Sequence, residues 1–123
     1  MAFKYLNVNP LSLEEEDCVC RAIKLASGKS YAEIEDKLYY VSRLLDCEEL
    51  CVCCYQFLLN EVFMYEPIDC LDMSVGELSE LYKDDILIIR INGHLTCSLY
   101  GDIYDLWDCR DLPCDVAWRV NNR

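Results

Sequence analysis

This chain has little histidine, glycine, proline or positive charge. Its 123 residues include one histidine, four glycines and three prolines, with 11 Lys and Arg against 23 Asp and Glu. A single histidine confines any imidazole chemistry to His94. So few glycines and prolines leave no linker-like stretch. With no internal repeat or low-complexity tract either, residues 1–123 read as one domain. The basic deficit gives a net charge of −12, which argues against nucleic-acid phosphate or an anionic membrane surface as a partner. No apolar run reaches the roughly 20 residues of a bilayer-spanning helix; the longest is "LCVCCYQFLLN". The opening "MAFKYLNVNP" lacks a basic region, an apolar stretch and a small-residue cleavage site, so no secretory signal is read there. The expectation is a soluble, cytoplasmic protein.

What is present is material for a core. Apolar residues make up 54% of the chain and aromatics 11%, a globular composition. Ten cysteines without a secretory signal predict reduced thiols, most of them packed as small apolar side chains. In "CEELCVCC", Cys47, Cys51 and Cys54 recur at i, i+4 and i+7, on the face of Leu50, Tyr55 and Leu58. That pattern reads as a core stripe. A zinc site wants four ligands, usually with paired loop cysteines, and no second pair follows. No metal or cofactor is therefore expected.

Helix signals come first along the chain. A helix opens near Asp17 with "CVCRAIKLAS", and Gly28 stands where a left-handed cap belongs. Ser30 with Glu33 predicts the start of a second helix, with apolar positions at Tyr31, Ile34, Leu38, Val41 and Leu45. Asp46 with Glu49 predicts a third, running to about Val62, and Ser74 with Glu77 a short fourth ending near Tyr82. The period then changes. "ILIIRI", "HLTCSLY", "IYDLW" and "VAWRV" read as strands, with turns at Asn92-Gly93 and Gly101-Asp102. Helices followed by an antiparallel sheet give an α+β class.

Cys18 stands out among the thiols because it opens a helix, where free N–H groups and the dipole favour a thiolate. Cys20 lies about 200° around the same helix and cannot share its site. Glu14, Glu15, Glu16 and Asp17 work against ionisation, so a nearby imidazole is required. His94, after the Asn92-Gly93 turn, is the one candidate. A three-residue loop at Tyr100–Asp102 would pair His94 with Asp108. A two-residue Gly101-Asp102 loop would pair it with Cys109, leaving Asp108 adjacent. Asp105 would lie about 10–13 Å along the strand in either register. Asp108 is thus the expected partner of His94, and Asp105 would need a bulge to compete.

The segments "NVNPLSLEEEDCVCRAIKLASGKSYAEI" and "INGHLTCSLYGDIYDLWDC" resemble small phage and bacterial proteins related to the papain-like cysteine peptidases. The nearest branch is the double-glycine bacteriocin-processing type. The resemblance covers the first forty and last forty residues, and rests on an Asp-Cys pair opening a helix, a Gly-His on a strand and a following acidic residue. It implies a papain-like fold with Cys18 as nucleophile, His94 as base and then acid, and Asp108 as its orienter. It also implies an oxyanion hole made by the Cys18 N–H and an upstream amide side chain. The position that carries Gln in the family, six residues before the cysteine, holds Ser12 here. Asn9, or alternatively Asn7, is the expected replacement.

Two functions follow as expectations. One is a cysteine hydrolase or acyl-transfer enzyme acting on a peptide, isopeptide or related amide in a protein or peptide substrate. The other is an inactive viral or mobile-element protein of the same fold, binding a basic host partner through its acidic surface.

Overall fold

The computed structural model describes residues 2–11 and 17–121. A short strand β1 (Phe3–Tyr5) precedes helices α1 (Cys18–Ser27), α2 (Tyr31–Leu45) and α3 (Val52–Phe57), the last continuing as a π-helical turn, Leu58–Val62. Strand β2 (Glu66–Ile68) and helix α4 (Val75–Leu81) follow. Then come β3 (Ile86–Ile91), β4 (His94–Leu99), β5 (Asp102–Asp105) and β6 (Val116–Arg119). The class is α+β, as the order of signals predicts.

The helix boundaries follow local chemistry. Gly28 ends α1 at φ 74, its N–H bonding the Lys24 carbonyl, a backbone conformation that glycine adopts without strain. Ser30 caps α2 by accepting the Glu33 N–H, and Ser74 with Glu77 forms a reciprocal capping box on α4. Along α2, Tyr31, Ile34, Leu38 and Val41 are buried while Leu45 is exposed. The predicted third helix is corrected at its start. Asp46 does not open it but ends α2 in the left-handed region at φ 54, and the helix begins only at Val52 behind the extended Cys51.

Among the described residues the sheet has six strands in the order β1-β5-β4-β3-β6-β2, antiparallel except for the parallel β1–β5 pair. It is therefore not built from the C-terminal strands alone: β1 and β2 add an edge on either side. Both faces are covered. Ile86 and Ile88 pack with α1, α2 and α3, whereas Leu87, Ile89 and Ile91 face Val75 and Leu78 of α4. This is why "ILIIRI" is apolar at successive positions, since a central strand buried on both sides has no solvent face to alternate with. Each fully buried Ile or Leu in it contributes roughly 1.5–3 kcal/mol of transfer free energy.

The β4–β5 hairpin decides where the site's residues meet. Leu99 pairs with Asp102, so the loop is Tyr100-Gly101, and each β4 residue meets a β5 partner one position earlier than the three-residue loop would give and two earlier than the Gly101-Asp102 loop would give. Both residues have positive φ, 52 and 88, as a tight turn of primed geometry requires. Tertiary contacts hold it there. The Tyr100 N–H bonds the Asp85 carbonyl, and the Ser79 hydroxyl of α4 donates to the Gly101 carbonyl. A Cβ at Gly101 would meet the Lys83 side chain at 3.2 Å.

Candidate active site

Helix α1 lies against β4, so its first residue, Cys18, comes beside the first residue of that strand, His94. The thiol and the imidazole interact side chain to side chain, and the Leu95 backbone also hydrogen-bonds the sulfur. The other face of the imidazole is fixed by a carboxylate. His94 Nε2 lies 2.6 Å from Asp105 Oδ2, which leaves Nδ1 as the nitrogen available to Cys18. The single histidine joins a helix-start thiol to a buried acid.

That acid corrects the sequence reading. In the observed register Asp105 stands level with Thr96, two positions along β4 from His94 and on the same face. Its carboxylate spans that diagonal. Asp108 is turned to solvent, its carboxylate bound by the Arg110 Nε at 2.9 Å and Nη2 at 2.7 Å. The same register carries Trp107 opposite His94, and the two rings lie 4.8 Å apart at 42°. The indole screens one face of the imidazole.

The oxyanion assignment is corrected too. Asn9 is buried and its side-chain nitrogen donates to Asp17 Oδ2 at 3.0 Å, while its oxygen accepts the Leu11 N–H. Asn7 accepts the Asn9 N–H through its own side-chain oxygen. Neither lines the cleft beside Cys18. Ser12 and the Glu14–Glu16 run lie outside the described residues. The first-turn N–H groups of α1 have no intrahelical acceptor, so the Cys18 N–H is the donor that this helix end offers a developing oxyanion.

Asp17 does not act as the negative neighbour expected of it. Its carboxylate accepts from Arg21 Nε at 2.7 Å, the Tyr31 hydroxyl at 2.7 Å and Asn9. Arg21 reaches on to Asp105, Nη1 to Oδ1 at 3.1 Å. One guanidinium thus ties the opening of α1 to the acid behind His94. Sequence reasoning missed Arg21, although its i, i+4 spacing from Asp17 is an ion-pair signal.

The electrostatics favour a charged pair. Burial resists ionisation of Cys18, but the His94 hydrogen bond, the Leu95 backbone and the charges of His94 and Arg21 outweigh it, holding the thiol below its ordinary value. Burial likewise disfavours the imidazolium, yet Asp105 and Cys18 push His94 up to about 9. Asp105 is held low by its bond to His94 against the opposing effect of burial. Cys20, by contrast, is pushed up to about 12, first by burial and then by surrounding acids. The two helix-start thiols are thus shifted in opposite directions.

The pair opens into a cleft of about 890 Å³. Leu50, Val52, Leu106 and Trp107 give it apolar walls, and Arg90 and Asn92 supply polar groups. Arg90 is engaged by Asp115 and Gln56.

Among the described residues two groups could hold a metal: His94, Asp105 and Cys109, and Cys47, Cys51 and Cys53. The first already spends its donors. His94 and Asp105 are bonded to each other, Asp105 also to Arg21, and the Cys109 thiol is pushed up to about 11, chiefly by burial. The second overlaps the core stripe read from sequence: Cys54 is buried, its thiol donating to the Leu38 carbonyl, and the half-buried Cys47 and Cys51 pack against the same core, while Cys53, outside that stripe, is exposed and gathers with those two.

No helix among the described residues is long and apolar enough to cross a membrane. Compared with protein-family models, curated proteins and solved structures, the chain matches none.

Proposed function

We propose that this chain is a cysteine hydrolase or acyl-transfer enzyme of papain-like architecture, acting on a peptide, isopeptide or related amide. The observation that carries the reading is His94 held between the Cys18 thiol and the Asp105 carboxylate. A helix-start thiol, an imidazole and a buried acid facing an open cleft make a complete nucleophile, base and orienter.

The chemistry runs in two halves. The Cys18 thiolate attacks the amide carbonyl carbon, forming the S–C bond while the oxygen takes the negative charge beside the first-turn N–H groups. His94 gives its Nδ1 proton to the departing nitrogen as the C–N bond breaks, which leaves a thioester on Cys18. Water, or an amine in acyl transfer, then attacks that carbon. His94 takes the nucleophile's proton, the S–C bond breaks, and the thiolate–imidazolium pair is restored. Asp105 keeps Nε2 protonated throughout and supports the imidazolium.

The signs of the pKa shifts set the pH profile. Cys18 is lowered, so the thiolate persists below the ordinary thiol range; His94 is raised, so its proton survives to about pH 9. Amide turnover is therefore expected to rise as Cys18 ionises and to fall as His94 loses its proton near pH 9. These limits belong to the pair as a whole.

The experiment is site-resolved alkylation. Brief iodoacetamide treatment at pH 6–7, followed by peptide mass spectrometry, should label Cys18 ahead of the other cysteines. An alkylation rate at Cys18 that climbs only near pH 9, like a free thiol, would overturn the reading. It would leave the acidic surface, at net charge −12, as a binding face for a basic partner.

A further inference from the structure

We propose that Cys47, Cys51 and Cys53 form a binding site for Zn²⁺ at the rim of the cleft, separate from the catalytic pair. Their sulfur atoms all lie within 4.8 Å of one another, and those of Cys51 and Cys53 are 3.0 Å apart. Three thiolates at about 2.3 Å from a tetrahedral zinc stand roughly 3.8 Å from each other. Small side-chain rotations therefore close the cluster on one ion. The fourth position of the tetrahedron is left to water, as the exposure of Cys53 allows.

The backbone around these thiols is already fixed. Cys47 follows the left-handed end of α2, its N–H bonding the Ser42 carbonyl; the Cys51 N–H bonds the Glu48 carbonyl. The Cys51 carbonyl in turn accepts the N–H groups of Cys54 and Tyr55. A loop held in this way loses little further freedom on binding.

The ligands also bracket two cleft residues. Leu50 and Val52 lie between Cys47 and Cys53 in the chain and line the wall beside Cys18. An ion held by these thiols would fix that wall.

The test uses the full chain, reduced with a phosphine and stripped by a chelator, then titrated with Co²⁺ and competed with Zn²⁺. One equivalent of Co²⁺ should give tetrahedral d–d bands with thiolate-to-metal charge transfer, and Zn²⁺ should displace it. Zn²⁺ should also raise the melting temperature. C53S removes an exposed ligand without touching the core, and should weaken binding at least tenfold. C18S should leave it unchanged. Absence of the charge-transfer band would overturn the assignment, as would its survival in C53S with loss in C18S. A Cys51–Cys53 disulfide that persists in the reductant would overturn it as well.

Discussion

Asparagine at Asp105 should lower amide turnover by about 10³–10⁴-fold, the scale seen when a triad loses its acid while keeping its shape. Against the opposing effect of burial, the carboxylate is the larger of the two partners, with Cys18, that push His94 up to about 9. Without it the imidazole returns toward ordinary basicity and the thiolate loses its counter-ion. Alkylation of Cys18 at pH 6 should fall, because the thiol moves back toward its ordinary, mostly protonated state there, partly offset by higher intrinsic nucleophilicity. The alkaline limb of any activity profile should move down from about 9. A merely structural role for Asp105 would not shift that limb. D108N is the control and should change neither rate, since its carboxylate serves only Arg110 at the surface. Equal effects of the two substitutions, or none from D105N, would remove Asp105 from the mechanism.

The second large effect concerns stability. Arg21→Met should cost about 3–5 kcal/mol, because it leaves buried carboxylates without their cation. The Arg21 side chain is 7% exposed and the Asp17 and Asp105 side chains 8% and 3%. Neither acid can recover by turning to water. At this chain length the loss corresponds to a melting temperature lower by roughly 10–20 °C. Arg21→Lys should fall between, since an ammonium cannot fork to two carboxylates as a guanidinium does. The exposed Arg110–Asp108 pair gives the contrast: R110A should shift stability by less than about 1 kcal/mol. Thermal unfolding of the three variants checks the ordering, and a loss below 1 kcal/mol for R21M would show that Asp17 and Asp105 are not held as ions.

Cys18 and His94 were legible in the sequence for different reasons. A thiol directly after Asp17 at the start of an apolar-periodic run marks a helix opening. A lone histidine after Asn-Gly leaves no competing imidazole. Asp105 was not legible, because its place depends on a single residue of turn register. Tyr100 at positive φ runs against the local preference for glycine or asparagine, and is held by Asp85 and α4. Shifting the turn by one residue moved the acid from Asp105 to Asp108 in the reading. Asn9 failed for a related reason: its amide is claimed by Asp17, and nothing in "NVNPL" shows a contact eight residues on. The edge strands "FKY" and "EPI" are too short to carry a period of two. The α2–α3 loop was misread because Asp46 and Glu49 mimic a helix start.

The order in which these parts leave a ribosome has a consequence of its own. Strand β1 pairs with β5, joining residues 3–5 to residues 103–105, and β6 lies inside the sheet between β3 and β2. Cys18 is made early, but His94 and Asp105 arrive more than seventy residues later. The sheet that aligns them cannot close until residue 119 has emerged. Contacts so distant in sequence form slowly, and during that interval Cys18 is an ordinary, mostly protonated thiol. The Cys18–His94–Asp105 arrangement is therefore acquired only on completion of the fold.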